Sequence, residues 1–372
     1  MPSPHADDAA ARAAEAERSV STLFGRPFLR MPGTHLARVR HPSSGPLDRP
    51  WHYWWQAHYV DALVDASMRA FRSDSLADAH LRAARADQLL LTVRLRNLSR
   101  LTNRFYDDMA WLALAVNRLE ELHGLLGGRW PRQRLARADR VLTAQLRSAV
   151  TEDLGGGAFW SRDRDFKNAP STGPVALHLA LLGDLELATT LVEWLYARLF
   201  VEETGLFADG IRVVGGEERL VGDVYSYNQG TVLGTLVTLG DSLSLSRAAR
   251  LISAIAAGLT VEWNGRRPLV THGYGDGGLF TGILVRYLAL AAEADALEPS
   301  ARATAAALVS DTANTLWQGR AALTVHGEQV SVFPSGPTEF AREESPLELS
   351  IQLQAWTVLE ASARLKSAPQ EV

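Results

Sequence analysis

Apolar residues recur along the chain at helical spacing in about twelve segments, near residues 7 to 24, 51 to 72, 76 to 97, 107 to 126, 131 to 149, 171 to 183, 185 to 202, 227 to 240, 243 to 260, 278 to 293, 297 to 317 and 347 to 366. A period near 3.6 residues predicts an amphipathic or buried helix in each. Convincing strands are almost absent. The best exception is Leu323 to Phe333, where two short β-prone stretches flank His326-Gly327 and predict a hairpin. No linker rich in Pro, Gly or Ser divides the helices, so residues 1–372 read as one domain, with flexibility expected only in the first few residues and the C-terminal tail. An even number of antiparallel helices with apolar inner faces predicts an all-α closed toroid of helical hairpins, in which loops at one end line a cleft.

Polar and aromatic residues gather where several of these helices begin: at His52 to Gln56, Tyr106 to Trp111, Phe159-Trp160 with Asp165 to Asn168, Phe207 to Gly210, Tyr225 to Gly230 and Gly278 to Arg286. Within them, Asp107 and Asp108 put two charges at the start of an otherwise apolar helix. Neighbouring like charges repel, so one carboxyl tends to keep its proton while the other ionises. An acid beside an anion suits glycosidic bond cleavage, and consecutive residues favour the separation of about 5 to 5.5 Å that gives retention of configuration. The structural alternative for Asp107 is a helix N-cap. A diphosphate-binding magnesium site needs a second carboxylate-rich motif, and none appears.

Composition narrows the partner. Of 372 residues, 47% are hydrophobic and 22% charged, enough apolar content for a large core. The net charge of -4 supplies no basic field for nucleic acid and leaves a neutral polymer as the better fit. Ten tryptophans are available, and Trp54, Trp55, Trp111 and Trp160 sit beside polar groups as expected of sugar-stacking rings, whereas Trp194 and Trp317 read as core. The chain has no cysteine, so disulfides and thiolate metal sites are excluded. Its ten histidines show no ligand spacing, so neither a metal nor an organic cofactor is expected. There is no G-x-S-x-G elbow. Gly273 to Gly278 matches G-x-G-x-x-G but lacks a βαβ context and reads as a flexible loop before a helix. Arg129, Arg132, Arg134, Arg137 and Arg140 read as a solvated helix face. With no apolar signal region at the N-terminus and no run long enough to span a bilayer, the chain reads as cytoplasmic, or as secreted if a leader has been removed, and as a monomer.

Taken together and in order, Tyr106-Asp107-Asp108 with Ala110-Trp111-Leu112-Ala113, Phe166-Lys167-Asn168-Ala169, Asp209-Gly210, Tyr227-Asn228-Gln229-Gly230 and Gly282 to Leu288 resemble glycoside hydrolase family 76. The resemblance implies an (α/α)6 barrel and endo-acting, retaining hydrolysis of α-1,6-linked mannan. It also implies Asp107 as nucleophile, Asp108 as general acid/base and Asp209 as a further acidic residue of the substrate cleft. Trp54, Trp55, Tyr106, Trp111, Trp160, Lys167, Asn168, Tyr227, Asn228, Gln229 and Arg286 are expected to bind substrate or support the same cleft. Phe280-Thr281-Gly282-Ile283 stands where the family usually has Phe-Lys-Gly-Ile. The alternatives are a transglycosylase of the same fold and a non-catalytic mannan-binding protein.

Overall fold

The computed structural model describes residues 8–43, 45, 51–342 and 346–367, with the side chains of 129 and 130 excepted. The terminal residues expected to be flexible lie outside that range. All twelve expected helices are present: α1 Ala9–Phe24, α2 Tyr53–Arg72, α3 Leu76–Arg96, α4 Tyr106–Leu125, α5 Arg129–Ala149, α6 Ala169–Leu181, α7 Leu185–Arg198, α8 Ser226–Leu239, α9 Ser242–Gly258, α10 Gly277–Ala292, α11 Pro299–Gln318 and α12 Leu349–Ser367.

The even-numbered helices form an inner ring. Each packs on the next, from α2 to α12, and α12 closes back on α2. The odd-numbered helices lie outside, α3, α5, α7, α9 and α11 each on the preceding inner helix and α1 on α12, which makes an (α/α)6 barrel. The division follows from the sequences. Helices α6, α8, α10 and α12 are apolar or small almost all round and bury nearly every residue, as a helix packed on all sides must. Helix α5 instead leaves Arg132, Arg134, Arg137 and Arg140 in solvent and turns Leu135, Ala138, Leu142 and Leu146 inward. Small residues let the inner ring close: a Cβ at Gly230 of α8 would lie 3.0 Å from the Leu284 Cα of α10.

The expected hairpin is found, as Ala321–Val325 paired with Glu328–Val332. The expectation that strands are otherwise almost absent needs correction. Phe166–Asn168, Gly210–Val214 and Glu217–Val221 form a three-stranded antiparallel sheet with Gly210–Val214 in the centre. Its tight turn is Gly215-Gly216, both at positive φ, a two-residue glycine loop of the kind that closes hairpins.

Arg286 of α10, expected at the cleft, is held elsewhere. Its guanidinium donates to Asp61 and Asp65 of α2, which also accept from Arg118 of α4. Burial pushes the Asp65 carboxyl up, but Arg118 and Arg286 outweigh it and hold it at about 2. Four alternating charges thus tie three inner helices together inside the ring, where none can be removed alone without stranding a buried partner. Arg286→Ala is therefore expected to lower stability by about 3 to 5 kcal/mol. Thermal or denaturant unfolding measures this, and a loss under 1 kcal/mol would contradict the assignment.

Candidate active site

Because each inner helix returns through an outer one, all six inner helices point the same way and their N-termini gather at one end of the barrel. A cavity of about 420 Å³ opens there. It is lined by His52, Tyr53 and Trp54 of α2 and its cap, Asp107, Asp108 and Trp111 of α4, Asn168 before α6, Tyr227 of α8, and Asp276 and Phe280 at the start of α10. Phe105, Trp160, Phe166 and Asp209 complete it from the connecting segments. Phe280 lies flat on Tyr227, with ring centroids 3.8 Å apart, and Trp111 and Trp54 flank this stack.

The two aspartates sit in the first turn of α4 in unlike surroundings. Asp107 accepts from the Asp108 backbone N–H at 2.8 Å and from the Trp160 indole N–H at 2.9 Å. Among the described residues, Asp108 accepts only from the Asn103 amide, at 2.5 Å. Burial raises both. It lifts Asp107 to about 7 against the pull of its two donors. Asp108 is raised further, by burial and then by the charge of Asp107 beside it. Donors aimed at Asp107 favour its anion, and that anion discourages ionisation of Asp108.

Asp209 reaches the same cavity through the sheet. A Cβ at Gly210 would lie 2.6 Å from the Asn168 Cβ, so only glycine lets this strand lie against Phe166–Asn168. The Asp209 carbonyl accepts from the Ala169 N–H at 2.7 Å and so satisfies a free donor at the start of α6. Its carboxyl is pushed up to about 6 by burial and has one long contact, from the Asn228 amide at 3.4 Å. The buried Oδ1 atoms of Asn168 and Asn228 have no hydrogen-bond partner among the described residues.

Of the residues expected at the cleft, Asp107, Asp108, Trp54, Trp111, Trp160, Asn168, Asp209 and Tyr227 line the cavity. Six do not. Lys167 is fully buried behind it, where its ammonium donates to the carbonyls of Thr151, Asp153 and Gly156 and to the Thr151 hydroxyl at 2.6 to 2.9 Å. Burial pulls it down to about 8. A β-strand alternates its side chains, so Lys167 points away from the face that carries Phe166 and Asn168. Arg286 is the ring residue described above. Gln229 bonds the Phe207 backbone on both sides and the Tyr225 carbonyl. Tyr106 is buried and contributes its N–H, which donates to the Trp160 carbonyl at 2.8 Å. Asn228 stands behind Asp209. Trp55 is buried, stacked under His52 with centroids 4.0 Å apart, and donates its indole N–H to Asp276 at 2.9 Å.

Asp276 was not anticipated. It is a fourth acidic group in the cavity wall, with Asp107, Asp108 and Asp209, and it accepts from both Trp54 and Trp55. The signal available was its place between glycines at the N-cap of an inner helix, close to where Asp107 sits in the first turn of α4. The loop carrying it is tied down, since Gly275 N–H donates to Glu348 at 2.7 Å. Asn103 was missed because a lone Asn ahead of a helix has no distinctive pattern.

Residues 16–363 match the sequence profile of glycosyl hydrolase family 76. The chain belongs to glycoside hydrolase family 76. Among solved structures, the GH76A α-1,6-mannanase of Salegentibacter sp. HEL1_6 is 28% identical with a TM-score of 0.80, over 96% of this chain and all of that one. A further structure is an inactive variant of that mannanase, with two consecutive aspartates replaced by asparagine, in complex with α-1,6-mannotriose, at 27% identity and TM-score 0.80 over 96% and 100% of the two chains. The Lin0763 protein of Listeria innocua has the same fold, at 24% identity and TM-score 0.77 over 96% and 98%. No curated protein matches the chain.

The raised carboxyls carry a stability consequence. Each binds its proton more tightly folded than unfolded, so unfolding gains ionisation as pH rises from about 4, and stability falls toward neutrality. Asparagine cannot ionise in either state. Asp107→Asn and Asp108→Asn in this glycosidase are expected to melt several degrees above the parent at pH 7 and close to it at pH 4. Melting curves at the two pH values check this, and a gap that widens toward acid would contradict the shifts.

Proposed function

We propose that this family 76 enzyme is an endo-acting, retaining hydrolase of α-1,6-linked mannan, with Asp107 as nucleophile and Asp108 as general acid/base. The observation that carries the proposal is the pair itself: two carboxyls on consecutive residues, with unequal donors, facing one aromatic-walled cavity. The relative that loses activity when two consecutive aspartates become asparagine, and binds α-1,6-mannotriose, supports the choice of pair and of linkage.

In the first step the Asp107 anion attacks the anomeric carbon while Asp108 gives its proton to the departing glycosidic oxygen. The reducing-end portion leaves as an alcohol, and a mannosyl ester remains on Asp107. Asp108, now an anion, removes a proton from water, and the hydroxide displaces the ester from the opposite face. Two inversions return the starting configuration. The Trp160 and Asp108 N–H groups hold Asp107 for attack. Tyr227, whose phenol burial keeps protonated, together with Asp209, Asn168 and Asp276, offers donors and acceptors for mannose hydroxyls beside the Phe280–Tyr227 stack.

Unbranched α-1,6-mannan is the direct test. Oligosaccharides of several lengths with the α-anomer formed first support the reading. Single mannose units from the chain end, or the β-anomer first, would overturn it. Products longer than the substrate on adding acceptor mannosides would assign glycosyl transfer in place of hydrolysis.

Asp107→Asn and Asp108→Asn are each expected to cut kcat/KM on mannan by at least about a thousandfold. On aryl mannosides, whose leaving group needs no proton, Asp108→Asn keeps its glycosylation step and Asp107→Asn does not. Equal losses on both substrates would reverse or remove the assigned roles.

The pH profile follows from the same pair. Activity needs Asp107 ionised and Asp108 protonated, so kcat/KM rises as Asp107 loses its proton, toward pH 7 instead of the usual carboxylate range, and falls as Asp108 loses its own above that. Measured on an aryl mannoside, Asp108→Asn is expected to abolish the alkaline fall and keep the acid rise. An unchanged alkaline fall would show that another group carries the proton.

A further inference from the structure

Beside the catalytic cavity, across residues 273–276, lies a larger one of about 880 Å³. Tyr274 lines this second cavity, while Asp276 lines the first. Between them, the Gly275 N–H bonds Glu348 in the wall of the larger cavity. His52 of the catalytic cavity lies within electrostatic reach of Glu348 and Arg40, both of which line the second. The two are neighbouring parts of the same end of the barrel.

Among the described residues, two large aromatic side chains stand mostly in solvent, Tyr274 at 69% exposed and Phe340 at 70%, and both line this groove. Their backbones are held. The Tyr274 segment is tied to Glu348, and either side of Phe340 the Glu339 carboxylate accepts from the Ser335 hydroxyl at 2.5 Å and the Ala341 N–H donates to the Gly319 carbonyl at 2.6 Å. Among the described residues the charged lining is balanced, with Arg40 and Arg342 against Glu339 and Glu348.

We propose that this groove binds further mannosyl units of the glycan whose scissile bond lies in the catalytic cavity, with Tyr274 and Phe340 as stacking platforms. The inference rests on the mannan reading above. A pyranose presents an apolar C–H face and a rim of hydroxyls that both donate and accept, so it needs an exposed ring with carboxylate and guanidinium groups nearby. Balanced charge gives no field for a phosphate or a polyanion. The volume is within the range of small-molecule sites, and its place across residues 273–276 from the catalytic cavity lets one chain reach both. Contacts far from the reacting bond then favour long chains over short ones.

The test uses calorimetry on the Asp107→Asn/Asp108→Asn protein with α-1,6-mannooligosaccharides of increasing length. Affinity is expected to keep climbing beyond the lengths that fill the central cavity. Tyr274→Ala and Phe340→Ala, each added to that protein, are expected to weaken the long oligomers about two- to tenfold more than the trisaccharide, and Phe340→Trp to restore the difference. In the active enzyme, the ratio of kcat/KM on polymer to that on a short oligomer falls by the same factor. If long and short oligomers bind alike with and without the two rings, the groove assignment is overturned and the mannan reading stands. If the parent neither binds nor cleaves any α-1,6-mannooligosaccharide, the mannan reading fails and the groove assignment with it.

Discussion

Ionising a carboxyl away from water is costly, and ionising two on consecutive residues is costlier still, so the surroundings of Asp107 and Asp108 must decide which of them carries the charge. Here the decision rests on donors. Asp107 has the backbone N–H of its neighbour and the Trp160 indole; Asp108 has one amide and the adjacent anion. The asymmetry is what the proposed division of roles rests on, while burial of both carboxyls makes the pair a burden on the folded state.

Much of the barrel's local detail maintains that asymmetry. Trp160 is placed by backbone bonds on both sides, its carbonyl accepting from Tyr106 and its N–H donating to Phe166. Next to Phe166, Lys167 binds the carbonyls of residues 151 to 156, with its ammonium 4.5 Å from the Phe159 ring centroid. The lysine thus fixes the segment that carries Trp160 without facing the cavity. On the opposite wall Trp54 and Trp55 do the same for Asp276. Beneath the cavity, the Asp61, Asp65, Arg118 and Arg286 network holds α2, α4 and α10 together, so the N-termini that bear the site keep their relative positions.

The helices were legible because a 3.6-residue apolar period is a long, repeated signal, and the start of α4 stood out because charge is rare where an inner helix begins. The small sheet was not, since strands of three to five residues leave too few alternations to read, although Gly215-Gly216 marked its turn. Lys167 and Arg286 share one cause of misplacement. Each lies in a motif that resembles the family's, but a motif does not say which way a side chain points: strand alternation turned Lys167 away from the cavity into a buried site, and two aspartates of α2 claimed Arg286. Trp55 and Gln229 likewise support their neighbours from buried positions. Asp276 was not legible because its glycine-rich setting reads as a loop, where no periodicity says which way a side chain points.

On the proposed mechanism the covalent mannosyl ester forms on Asp107. An Asp108→Asn protein given an aryl α-1,6-mannooligoside should load quickly and unload slowly, so the ester accumulates for peptide mapping by mass spectrometry. The expected result is a mannosyl adduct on the peptide containing Tyr106 to Trp111, with fragmentation placing it at Asp107. An adduct on any other residue, or rapid turnover with inversion and no adduct, would contradict the account.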